Sequence, residues 1–137
     1  MGTLSRLQKS AAQYLRSLSE LRRADIFAEN IDPEEGGKAE GMRVVVMSPV
    51  PVRASKYAAG PAFSEVEISV EISRDDSNAT RAPSVLDAAE AVSRALHFWT
   101  PPLESGYGKL SMSDTHAWLR TGKSSIRTTF KTQSVLQ

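Results

Sequence analysis

A chain of 137 residues fits a single domain, residues 1–137, able to bury about two-thirds of the surface its unfolded form exposes. Its 17 Lys and Arg against 16 Asp and Glu leave a net charge of +1, which speaks against the domain-wide basic field of a dedicated nucleic-acid binder. The absence of cysteine excludes a disulfide framework, a thiolate metal site and a thiol nucleophile.

The opening residues are polar and do not read as a secretory signal. No stretch approaches the roughly 20 apolar residues of a membrane span. No membrane association is expected, and the chain is expected in the cytoplasm where it is made.

Leu4, Leu7, Ala11, Tyr14, Leu15, Leu18 and Leu21 recur at spacings of three and four, the one-sided stripe of an amphipathic helix over residues 4–22. Thr3 is the expected N-cap. Strand-like sequence follows directly, which favours packing on a sheet over a coiled-coil seam. Ile26 and Phe27 centre a short strand over residues 24–30. Residues 32–41, with Pro33 and three glycines, then break structure as an exposed loop. Residues 42–52 are apolar and β-branched, with Val44, Val45 and Val46 in a row, and Pro49 and Pro51 end their regular pairing.

The clearest strand is 63–73. There Val66, Ile68, Val70 and Ile72 alternate with Glu65, Glu67, Ser69, Glu71 and Ser73, so one face is buried and the other wet. A sheet covered on one side requires both helices on the same face. After a turn-rich segment, Ser84 opens the second helix as N-cap, and Val85, Ala88, Ala89, Val92, Ala95, Leu96 and Trp99 form its apolar stripe. Thr100, Pro101 and Pro102 stop it. Residues 107–113 and 125–132 read as two further strands, joined by 114–123 with Trp118 and Leu119 folded back onto the core. The expectation is an α+β two-layer sandwich: a mixed, mostly antiparallel sheet of about five strands with two helices packed on one face.

Chemistry is hard to find along this chain. Ser113, Asp114 and His116 lie within four residues, whereas a catalytic triad converges from separate elements onto an oxyanion hole. They read as a turn with a surface histidine. His97 reads as a partner for the end of the second helix. Two histidines without cysteine do not complete a zinc site. The run Gly106-Tyr107-Gly108-Lys109 lacks the spacing of a phosphate loop, and Asn78-Ala79-Thr80 reads as a chance sequon. Glu65, Glu67 and Glu71 project from one strand face, where residues i and i+2 stand about 7 Å apart, but a flat wet face provides no cleft to raise a carboxyl pKa. No catalytic residue, cofactor or metal is expected, and the chain is not expected to be an enzyme.

The opening amphipathic helix, the run MRVVVMSPV, the alternating SEVEISVEIS, the helix SVLDAAEAVSRAL and the closing strands around THAWLRTG together resemble the tail terminator proteins of long-tailed bacteriophages. The resemblance spans nearly the whole chain and is one of element order. It implies a mixed sheet with helices on one side and a hexameric ring that caps the tail tube and joins it to the head. The implied partners are further copies of the chain, the tail tube protein and head-connector proteins, at the tail-to-head junction of a virion. A head-to-tail connector, or a small ligand- or nucleic-acid-binding module, is the alternative.

A closed ring needs two different surfaces that meet. Two charged faces are the candidates: an acidic one (Glu65, Glu67, Glu71) and a basic one (Arg127, Lys131). The second lies in a C-terminal region with five basic residues (Lys109, Arg120, Lys123, Arg127, Lys131) against Glu104 and Asp114. The loop over residues 53–61, with Arg53, Lys56 and Tyr57, is a candidate docking element. Tyr57 and Tyr107, both expected in loops, are the candidate aromatic anchors.

Overall fold

The computed structural model describes residues 2–32, 42–56, 60–75, 85–120 and 123–135. Helix α1 (Thr3–Arg16) and helix α2 (Val85–Leu96) pack on one mixed sheet of six strands among these residues: β1 (Asp25–Ala28), β2 (Met42–Val46), β3 (Val50–Ala54), β4 (Phe63–Asp75), β5 (Ser111–Arg120) and β6 (Lys123–Gln133). The order across the sheet is β1-β2-β4-β6-β5, with β3 on β4. Only the β1–β2 pair is parallel. The α+β architecture expected from the sequence is therefore the one observed.

Strand β4 is the spine. Its Val66, Ile68, Val70 and Ile72 are fully buried and face the helices, as their alternation requires. Met42, Val44 and Val46 of β2 and Ile126 and Phe130 of β6 extend that apolar layer, and Leu7, Ala11, Leu15, Val92 and Leu96 close it from the helices. Polar groups enter it as well: Thr128 and Thr132 of β6 and Arg74 of β4 are buried, and buried Gln8 of α1 donates through Nε2 to the carbonyls of Glu29 and Val46, each at 2.8 Å. Two satisfied acceptors allow an amide at that depth, and the bonds tie α1 to the point where β1 and β2 leave the sheet.

Several local expectations change. Helix α1 starts at Thr3, with Gly2 rather than Thr3 at the N-cap, and stops at Arg16. The Ser17 hydroxyl bonds the Tyr14 carbonyl at 2.6 Å, a local alternative to the helical ladder. Leu18 is extended, and a short 3-10 turn (Ser19–Leu21) replaces the rest of the expected helix. The single strand expected over 42–52 is two, β2 and β3, laid end to end along one side of β4. Pro51 is accommodated because β3 is an edge strand.

The largest correction concerns residues 111–133. The segment expected as a connection, 114–123, is mostly strand: β5 runs to Arg120 and pairs antiparallel with β6. A register shift between Met112 and Asp114 interrupts its alternation, which hid the strand from a period-two reading. Ser113 and Asp114 thus lie on a strand and not in a turn. The side chains of Trp118 and Leu119, the cap Ser84 and most of the loop 32–41 lie outside the described residues.

Candidate interaction surfaces

Among the described residues no helix covers the sheet face opposite α1 and α2. It presents Asp25 and Phe27 from β1, Arg43 and Val45 from β2, Glu65, Glu67, Ser69, Glu71 and Ser73 from β4, and Arg127, Thr129 and Lys131 from β6. The two charged groups read from the sequence sit side by side on this face. Glu71 pairs in register with Arg127 and Glu67 with Lys131. Arg127 Nη2 is 2.8 Å from Glu71 Oε2, and Lys131 Nζ is 3.8 Å from Glu67 Oε1.

The acidic and basic faces are therefore not two surfaces on opposite sides of the molecule. They lie side by side on one surface, where Glu71 with Arg127 and Glu67 with Lys131 pair within the chain. Glu65 stands in register with Arg53 of β3 on one side and Gln133 of β6 on the other.

Arg53 lies on a strand and not in a loop. Lys56 is exposed at the start of the β3–β4 connection, and Tyr57 lies outside the described residues. Tyr107 is 1 % exposed, so it is a core residue and not an exposed anchor. Its hydroxyl donates to the Phe63 carbonyl at 3.1 Å, and burial raises its pKa above the usual phenolic value. Gly106 delivers it there: with φ of 82° and Pro61 Cγ 2.7 Å from where a β-carbon would stand, any side chain at this position is strained.

The two margins of the sheet differ. At β1 the outward backbone groups are capped. Arg16 donates twice to the Ile26 carbonyl, from Nε at 3.0 Å and Nη2 at 2.8 Å. The Asp32 carboxylate accepts the Ala28 N–H at 2.8 Å while held by Arg16 Nη2 at 2.6 Å. An edge closed in this way does not recruit a further strand. The Ala28 N–H bond is the main cause that lowers the Asp32 pKa, with Arg16 adding to it against desolvation.

At the other margin β5 is exposed over residues 111–117. The Met112 N–H donates to His97 Nδ1 at 3.0 Å, so His97 caps a strand rather than the helix end expected of it. The Ser113 hydroxyl donates to the Thr129 carbonyl, and Asp114 accepts the Thr115 N–H. Both polar groups are used within the hairpin.

Seven large apolar side chains exposed among the described residues escaped the sequence reading as candidates: Val50 and Val52 on β3, Met112 on β5, Phe98 after α2, and Leu86, Leu103 and Val135. In the sequence Val50 and Val52 read as the end of the apolar run 42–52. Nothing local distinguishes Phe98 from its neighbour Trp99, whose ring stacks on Tyr14 at 5.0 Å between centroids.

No family model and no curated protein matches the chain. Among solved structures, the chain is similar to one in a structure described as the virion of a native gene transfer agent particle. The TM-score is 0.68 with 20% identity, and the match covers 93% of each chain. That likeness extends the fold agreement over the whole domain.

Proposed function

We propose that this chain is a structural assembly protein of a phage-like particle, acting as a tail terminator: a ring, hexameric by analogy, that caps the tail tube and joins it to the head. The observation that carries the reading is the end-to-end fold likeness to a chain of a gene transfer agent virion. It falls on the same class of particle that the element order of the sequence implies. The surface supports it, since a one-layer sheet with an open face and exposed apolar groups at two margins has what a subunit in an assembly needs. In this reading the chain acts by contact with copies of itself, tube protein and head-connector proteins, and performs no reaction.

Removing the gene and imaging the particles by electron microscopy tests the proposal. Tails of irregular length without heads are expected, restored by supplying the chain in trans. Finished tails with heads that fail to attach would move the chain to a head-to-tail connector role. Normal particles would contradict both.

A further inference from the structure

The residue after α2 is held in a conformation that suits glycine. Phe98 has φ of 67°, in the left-handed region where a β-carbon crowds the following carbonyl. Helices commonly end on such a residue, but it is usually glycine or asparagine. The backbone there is fixed: the Phe98 N–H donates to the Leu110 carbonyl at 2.8 Å, and the Leu110 N–H donates to the Trp99 carbonyl at 2.9 Å. The turn sends Trp99 inward onto Tyr14 and leaves Phe98 outside, 59 % exposed. Glycine would make the same turn without strain, so the fold does not require this ring.

The ring belongs to a patch. The His97 imidazole lies 3.8 Å from it between centroids, and Lys109 Nζ stands 4.8 Å over its face. Met112, 43 % exposed, is tied to His97 through its N–H. The opposite margin of the same end of the sheet carries Val50 and Val52, 58 % and 47 % exposed. Between the two margins the backbone is bonded without a break: β3 to β4, β4 to β6, β6 to the start of β5, and Leu110 to residues 98–99. Four strand spacings separate the patches by about 19 Å. The valine strip runs beside Glu67, which holds Lys131, and Glu65, in register with Arg53; Glu65 makes no ion pair among the described residues and is the carboxylate this margin opposes to the Lys109 cation.

We infer that the Phe98–Met112 patch of one copy seats on the Val50–Val52 margin of the next, making Phe98 the anchor of a heterologous contact between copies of this chain. The inference rests on the ring reading above and supplies its subunit contact. A strained, exposed aromatic is explained if its ring is buried only on assembly. Two unlike patches at opposite margins join copies head to tail, the arrangement a closed ring needs.

The test is sedimentation at concentrations where the unaltered chain assembles, combined with melting of the dilute monomer. Phe98→Gly is expected to abolish assembly while raising the melting temperature of the monomer by about 3 °C or more. Val52→Lys is expected to abolish assembly with the melting temperature unchanged, and Leu86→Ser, an exposed position at the far end of α2, to leave assembly intact. An equimolar mixture of the Phe98→Gly and Val52→Lys chains retains one good contact and is expected to stop at heterodimers. The inference is overturned if Phe98→Gly assembles as the unaltered chain does, if its monomer melts lower, or if the mixture stays monomeric. It is also overturned by an unaltered chain that stays monomeric at every concentration. Rings that ignore Phe98→Gly would leave the capping role standing and remove only this contact.

Discussion

Arg127 Nη2 lies 2.8 Å from Glu71 Oε2, directly across the β4–β6 pair. Two residues that the sequence assigns to opposite partners of a subunit boundary are thus one cross-strand pair. Both side chains are more than 30 % exposed, at 38% and 33%, so solvent screens the attraction and it contributes about 0.2–1 kcal/mol. Glu71→Arg sets two cations opposite each other and Arg127→Glu two carboxylates, and each alone is expected to destabilise the domain by a similar amount. Glu71→Arg with Arg127→Glu is expected to recover most of the loss. Urea unfolding of the four chains of that cycle reads the coupling; a double variant no more stable than the worse single one would show that the pair does not hold the register.

The inward row of β4 is far less forgiving. Ile68 and Val70 are fully buried beneath both helices, and an aspartate at either place strands a charge without a partner. Ile68→Asp and Val70→Asp are expected to leave no cooperative melting transition. Glu67→Ala, one residue away on the open face, is expected to lower stability by under about 1 kcal/mol. Circular dichroism melts compare them, and equal stability of the two classes would contradict the one-sided sheet.

This alternation is why the fold was legible. A half-buried strand declares its period, and the 63–73 pattern dictated a sheet with both helices on one side. The 111–120 strand was legible only over residues 111–113, because a bulge after Met112 breaks the period and residues 111–117 are exposed on both faces, leaving no apolar alternation to read beyond it. The charges of β4 and β6 were legible as residues but not as neighbours, since strand order across a sheet is a long-range property. Phe98 was invisible because a left-handed φ at a non-glycine residue has no signature in composition.

Tyr107 and Gly106 form a second test of the core. Tyr107→Phe removes the bond to the Phe63 carbonyl and is expected to cost about 1 kcal/mol. Gly106→Ala drives a β-carbon toward Pro61 in a left-handed conformation and is expected to cost about 1–3 kcal/mol. Because burial raises the Tyr107 pKa, the folded state holds its proton to higher pH than the unfolded chain. Stability is therefore expected to fall as pH rises above the ordinary phenolic value, and less steeply in Tyr107→Phe. Denaturant midpoints in mildly and strongly alkaline buffer measure this, and parallel profiles would contradict it.

Asp32 governs the acid side. The Ala28 N–H holds the folded Asp32 pKa below the ordinary carboxylate value, so its contribution is complete above that ordinary value and is lost as pH falls through the lower folded one. Asp32→Asn is expected to be less stable at neutral pH and to show a shallower loss between neutral and strongly acid buffer. The same change weakens the cap on the Ala28 N–H and is expected to hasten hydrogen exchange along β1. An Asp32→Asn profile parallel to that of the unaltered chain would remove Asp32 from the account.

The role at the end of a tail is tested most directly by locating and counting the chain in purified particles, with cryo-electron microscopy of the head–tail junction and quantitative mass spectrometry of the same sample. The account predicts one ring at that junction, six copies of 14.9 kDa totalling about 89 kDa, with the β3 margin of each subunit against Phe98 of its neighbour. A chain absent from the particle, or distributed along the whole length of the tail, would contradict it.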